Sequence, residues 1–219
     1  SFHIGDLKNL KPSRQAIFVN AQVKPDGKLE GTARISRFSY DRAGGLSRFE
    51  KLGETKYKNE LINGNNNLKI LSFNRENVEN DTLPLIESAA FRLDVSAGDD
   101  KYLFINPNLF TTLHSNPFLS ESRNASIDFG SNNIYSIKGL YKIPAGYKME
   151  SIPEGLSLTM PDTSISFKRV VSEEDGSILV NYFIDFNRSE FSADEYPAIH
   201  DFYKKMYEML NEQIVLKKI

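Results

Sequence analysis

Period-two alternation of apolar and polar residues is the feature that most limits what this chain can fold into. Ile17, Val19, Ala21 and Val23 alternate with Phe18, Asn20 and Gln22. Leu29, Gly31, Ala33 and Ile35 alternate with Glu30, Thr32, Arg34 and Ser36. Successive side chains of a strand point to opposite faces, so each run is a strand with one buried face. Pro25-Asp26-Gly27 lies between them, with a preset φ followed by a residue that tolerates positive φ, and predicts a hairpin. Near the other end, Ile165, Phe167 and Val171 form a strand, Glu173-Glu174-Asp175-Gly176 a turn, and Ile178 to Phe186 the return strand. Between these hairpins, strands are predicted around Leu68–Phe73, Ala89–Val95, Tyr102–Ile105, Tyr135–Ile143 and Leu156–Met160, with a turn at Gly98-Asp99-Asp100.

Two segments break the alternation. Over 41–62, Leu46, Phe49 and Leu52 have helical spacing, and so do Tyr57 and Leu61. Ser47 and Glu50 have capping-box spacing, and Gly53 is placed to end a first helix before a second reaches Ile62. After Arg188 the period becomes 3.6: Ile199, Phe202, Tyr203, Met206 and Leu210 share one face. Ser192 and Glu195 again have capping-box spacing, and Pro197 is tolerated only near a helix start. A helix is therefore predicted over 196–211, followed by an extended strap at Ile214–Leu216. The expected fold is mainly β (α+β): antiparallel, β-sandwich-like sheets with a helical insertion near 41–62 and a C-terminal helix near 196–211. Residues 1–15 read as a linker or arm from an upstream domain. Residues 16–219 read as a β-rich region, and 106–131 is where it would divide if it forms two lobes.

Composition narrows the chemistry. The 219 residues contain no cysteine, which removes a thiol nucleophile, a cysteine zinc site, an iron–sulfur cluster and disulfides. With 27 Lys and Arg against 29 Asp and Glu, the net charge is −2, so no basic face is expected and no nucleic acid is a predicted partner. No apolar run is long enough to span a bilayer. No leader is visible at Ser1-Phe2-His3-Ile4.

Three histidines are present, His3, His114 and His200, at no metal-binding spacing. His200, beside Asp201, is placed on the polar side of the last helix. His114 precedes Ser115 in the long segment 106–131; a serine–histidine hydrolase would need both, and no Gly-x-Ser-x-Gly elbow accompanies them. Asp99-Asp100 and Glu173-Glu174-Asp175 lack calcium-loop spacing and fall at predicted turns. Asn124-Ala125-Ser126 and Asn187-Arg188-Ser189 match the glycosylation tripeptide, a pattern frequent by chance. Tyr196, Tyr203 and Tyr207 form an aromatic stripe on the last helix, which at that spacing reads as core. No residue is assigned a catalytic, cofactor-binding or metal-ligating role, no cofactor is expected, and the region is expected not to be an enzyme. Ten Tyr and fifteen Phe, with the long segment, leave a second class open: a stand-alone glycan- or peptide-binding module.

Several short motifs carry a family resemblance. They are Lys101-Tyr102-Leu103-Phe104-Ile105-Asn106-Pro107, Asn116-Pro117-Phe118 with Arg123, and Pro144-Ala145-Gly146-Tyr147-Lys148 leading to Ile152-Pro153-Glu154. The run from Phe191 to Lys205 and the closing Asn211–Lys218 complete the set. Together they resemble the C-terminal region of large exported bacterial proteins with a central transglutaminase-like, papain-like cysteine protease domain. In that family a β-rich region of unknown function follows a Cys-His-Asp core, and the resemblance covers most of 16–218. It implies an accessory β domain, structural or substrate-presenting, that partners the upstream domain of the same polypeptide in the periplasm or at the cell surface. The family's catalytic cysteine has no counterpart here, so no catalytic residue is carried over.

Overall fold

The computed structural model describes residues 11–24, 26–97 and 101–219. In chain order the elements are β1 (Ser13–Val23), β2 (Lys28–Phe38), α1 (Ser39–Leu61), β3 (Leu68–Glu76), β4 (Leu85–Asp94), β5 (Ser96–Ala97) and β6 (Tyr102–Ile105). They continue as β7 (Ile127–Asp128), β8 (Asn133–Lys142), β9 (Tyr147–Ser151), β10 (Leu156–Thr159), β11 (Ile165–Glu174), β12 (Ser177–Phe186) and β13 (Glu190–Phe191). A 3-10 turn (Ala193–Glu195), α2 (Tyr196–Leu210) and β14 (Ile214–Lys218) close the chain.

An eight-stranded sheet in the order β10-β11-β12-β8-β1-β2-β4-β3 forms one layer. The second layer is a four-stranded sheet, β5-β6-β14-β9, together with both helices and the 106–131 segment. The mainly β expectation holds. The large sheet departs from purely antiparallel pairing at one place, where β8 runs parallel to β1. Between β4 and β8 the chain crosses the second layer and re-enters the sheet at the end where β1 starts, and Ser13 N–H donates to Asn132 O at 2.8 Å. Parallel neighbours require such a long crossover. β1 begins at Ser13, inside the stretch read as an arm, while residues 1–10 and the Gly98–Asp100 turn lie outside the described residues.

Strand register aligns the core in rows. One row across the buried face reads Leu156, Arg169, Tyr182, Ile137, Ile17, Ile35, Glu87 and Arg75. A neighbouring row contains Gly139, and a Cβ there would sit 2.4 Å from the Tyr141 ring, which folds over it. The Tyr141 hydroxyl then donates to Pro107 O at 3.1 Å, tying the second layer to the first. The broken alternation of β3 is a bulge: Ile70 and Ser72 pair with Phe91 and Ala90, and Leu71 between them has no partner and is exposed. The β11–β12 hairpin turns on Asp175 and Gly176, with φ of 49° and 70°, the left-handed pair a two-residue hairpin demands.

Each helix is clamped to the sheet by a buried arginine. Arg37 donates to Glu87 Oε2 at 2.7 Å and to Asp41 at the start of α1 at 3.1 Å. Burial disfavours the Arg37 charge, but the Asp41 and Glu87 carboxylates outweigh it and hold the guanidinium above its ordinary pKa. Tyr57 of α1 donates to Glu87 Oε1 at 2.7 Å. Arg75 Nε stands 3.3 Å from the same oxygen, paired by charge but out of line for a hydrogen bond, with its guanidinium 4.0 Å from the Phe49 ring centre. Helix α1 therefore begins eight residues before Ser47, and the spacing of Ser47 and Glu50 marks no helix start. The anchor is Arg37, and Gly45 leaves room for it: a Cβ there would lie 2.7 Å from Arg37 Cδ. The break between two helical pieces falls at Gly53, φ 75°.

At the opposite side Arg169 donates to Glu154 O and Met209 O, each at 2.7 Å, and to Glu212 at 2.8 Å. It thus satisfies a carbonyl at the C-terminal end of α2. The Glu195 carboxylate accepts from the Ser192 backbone N–H at 2.8 Å, completing the predicted capping box. Ile199, Phe202, Tyr203, Met206 and Leu210 are buried, and Lys204, Lys205 and Glu208 are exposed. Burying each large apolar side chain is worth roughly 1.5–3 kcal/mol, so the face of α2 belongs to the core. The terminal strap becomes β14, paired with β6 on one edge and β9 on the other.

Candidate functional site

The segment after β6 is a built wall. Asn106 Oδ1 accepts from Asn108 N–H at 2.9 Å, Asn108 Oδ1 accepts from the Thr111 hydroxyl at 2.7 Å, and Asn108 Nδ2 donates to Leu113 O at 2.6 Å. Local amide bonds of this kind substitute for secondary structure. Phe110 sits at φ 59°, a region bulky residues avoid, and is pinned edge-on against Phe91 with ring centres 5.1 Å apart. Leu109, Leu113 and Phe118 bury the rest of the segment. A cleft opens on each side of this wall.

The first cleft, about 340 Å³, is lined by amides. Asn63, Asn65 and Asn67 come from the turn after α1, Asn106 from the wall, and Asn211 and Gln213 from the link between α2 and β14. Asn63 Nδ2 donates to Thr111 O at 2.9 Å, and Asn106 Nδ2 to Asn211 Oδ1 at 3.3 Å, so part of this set holds the walls together. Phe104 and Phe110 supply apolar surface and Asp94 a carboxylate. Such a mixture can hydrogen-bond donors and acceptors of a neutral polar chain.

The second cleft, about 360 Å³, lies between the wall, the ends of β8 and β12, and α2. Tyr135, Tyr203 and Tyr207 line it with Phe129, Phe186 and Pro117. Tyr203 and Tyr207 are only 3% and 7% exposed. Their rings stack on each other at 5.9 Å, and Phe118 meets Tyr203 edge-on at 4.6 Å. Burial, reinforced by the neighbouring phenols, pushes Tyr203 well above the ordinary tyrosine pKa and Tyr207 up to about 12. Burial and the Asp41 charge also raise Tyr135.

His114 and Ser115 are adjacent in sequence but line different clefts, His114 the amide cleft and Ser115 the tyrosine cleft. His200 Nδ1 stands 3.3 Å from the exposed Asp201 carboxylate on α2. His3 and Asp99-Asp100 lie outside the described residues. Glu173-Glu174-Asp175 is the exposed hairpin end. Among the described residues, no group of three or more His, Asp or Glu could hold a metal ion, and no helix is long and apolar enough to cross a membrane. Asn124 and Asn187 are exposed. Tyr196 is buried, its hydroxyl donating to Ser120 O at 2.6 Å.

Sequence reasoning missed the convergence of Asn63, Asn65 and Asn67 with Asn106, and of Tyr135 with Tyr203 and Tyr207. The density of asparagine at 63–67 and 106–108 was the available signal. The pairing of distant segments across one cavity is tertiary.

Fold and clefts together define a two-layer, mainly β domain whose concave surfaces are lined by amides and aromatic hydroxyls. The chain belongs to the DUF3858 family, a domain of unknown function with a solved structure, whose profile matches residues 100–216. No curated protein matches it. Among solved structures, one described as a putative protease from Parabacteroides distasonis ATCC 8503 is similar at 14% identity and a TM-score of 0.46. That match covers 54% of this chain, which spans 24% of the other.

Proposed function

We propose that this chain is a non-catalytic accessory β domain of a larger exported protein. Its partner is an upstream transglutaminase-like, papain-like cysteine protease domain of the same polypeptide, in the periplasm or at the cell surface. Its amide cleft receives a polar stretch of the substrate. The absence of any cysteine carries this reading, since the thiol nucleophile of such a protein must then belong to another domain. The family resemblance across most of 16–218 supplies the partner. The amide cleft supplies the presenting surface, and among the described residues no Ser or Thr hydroxyl is paired with a histidine. The same cleft favours, as second reading, a stand-alone module that binds a glycan or peptide.

Activity assays separate these readings. The isolated chain should neither hydrolyse nor cross-link peptides. Removing it from the full-length protein should lower turnover of a polypeptide substrate and leave a small activated ester unaffected. Peptidase activity in the isolated chain would overturn the proposal, and so would a full-length reading frame with no Cys-His-Asp domain upstream.

A further inference from the structure

We infer that the tyrosine cleft is a second binding site, independent of the amide cleft, and that its ligand is an extended, carbonyl-rich peptide segment of the polyproline type. Tyr203 and Tyr207 have their rings buried, yet neither hydroxyl has a hydrogen-bond partner among the described residues. A buried tyrosine ordinarily satisfies its O–H within the protein. Both residues line the cleft together with Tyr135 and the wall residue Thr112. A ligand acceptor placed in the cleft would complete the two hydroxyls.

Three features select the ligand. No charged side chain lines the cleft, so an ionic ligand has no counter-charge to meet. The Tyr203 ring is stacked with Phe129 and Tyr207, so this ring offers no open platform of the kind sugar stacking needs. The polar lining is hydroxyls and one amide, and these neutral groups can donate to a backbone that offers carbonyls without N–H groups. Aromatic-lined grooves take polyproline segments in this manner, because the preformed helix loses little entropy on docking. The volume, about 360 Å³, falls at the lower end of the range of small-ligand sites and admits a short segment.

The test uses an acetylated, amidated proline oligomer as probe, titrated calorimetrically into the 219-residue chain. A glycine–serine peptide of equal length and a chito-oligosaccharide serve as comparison ligands. The proline oligomer should bind saturably and the other two should not. Tyr203→Phe and Tyr207→Phe keep the rings and delete only the hydroxyls, so each should weaken binding about three- to tenfold, with unfolding midpoints unchanged. Asn67→Ala, in the other cleft, should leave this affinity as it is. No binding of the proline oligomer up to millimolar concentration would overturn the inference, as would equal affinity in both phenylalanine variants. Binding of the chito-oligosaccharide lost in those variants would make the cleft a glycan site instead and would equally overturn it.

Discussion

Replacing Glu87 by Gln should be the most damaging isosteric change in this protein. The side chain is fully buried, so the variant neither opens a cavity nor adds bulk. What it removes is the negative charge between Arg37 at 2.7 Å and Arg75 at 3.3 Å. Arg37 is 2% exposed and would retain only Asp41, which is partly solvated. Breaking one side of a buried ion pair typically costs about 3–5 kcal/mol, because the surviving charge cannot regain its water. A domain has only about 5–15 kcal/mol to lose. With a urea dependence of about 2–3 kcal/mol per molar, the midpoint should fall by about 1–2 M. The control is Glu30→Gln, whose partner Arg92 is also 2.7 Å away, but with side chains 33% and 46% exposed. Solvent screens that pair, and the loss should stay within about 1 kcal/mol. Equal midpoints for the two variants would refute the claim that burial, and not distance, sets the strength of these bridges.

Truncating Phe202 to Ala should cost about 3–5 kcal/mol and Lys204→Ala no more than about 0.5, read from the same titrations. Deleting the chain after Glu190 removes α2 and an inner strand of the small sheet, and the product should aggregate in a sedimentation assay. Adjacent glycines in α1 should respond with opposite sign. Gly44→Ala meets nothing within 4 Å and should stabilise by up to about 1 kcal/mol, whereas Gly45→Ala strikes the pinned Arg37 and should destabilise by about 1–3, as thermal melts will show. Alkaline pH should unfold the protein cooperatively. Tyr207 is raised from 10.0 to about 12, and Tyr57, Tyr141, Tyr182 and Tyr203 are raised with it, chiefly by burial. A raised folded-state pKa contributes stability that is complete below the unfolded value and is lost as pH rises through the folded one. Each such phenol therefore removes about 1.4 kcal/mol per pH unit between roughly 10 and 12. Tyrosinate absorbance and circular dichroism should change together, and gradual ionisation without loss of structure would contradict the burial of these phenols.

Much of this fold was legible in local pattern. The hairpins at Ile17–Ile35 and Ile165–Phe186, the break at Gly53 and the buried face of α2 all follow from spacing, because which side of a strand or helix a residue occupies depends only on its neighbours in the chain. The capping box at Ser192 and Glu195 is local in the same sense, and it formed. Its counterpart at Ser47 and Glu50 did not start a helix, since Arg37 and Asp41 had already set the start of α1 through a partner fifty residues on, Glu87. The parallel pairing of β1 with β8 was equally invisible, because strand order is decided by how the chain returns across the second layer. Both clefts belong to that tertiary level. Asn63 and Asn106, or Tyr135 and Tyr203, are ordinary loop, strand and helix residues in sequence, and only packing of the 106–131 wall within the second layer, against the large sheet, brings each pair to one cleft. Sequence determined the apolar faces of the strands and of α2 and the absence of a cysteine nucleophile. The tertiary structure decided which buried hydroxyls and amides were left facing a cavity, because that depends on contacts between elements that no local period encodes.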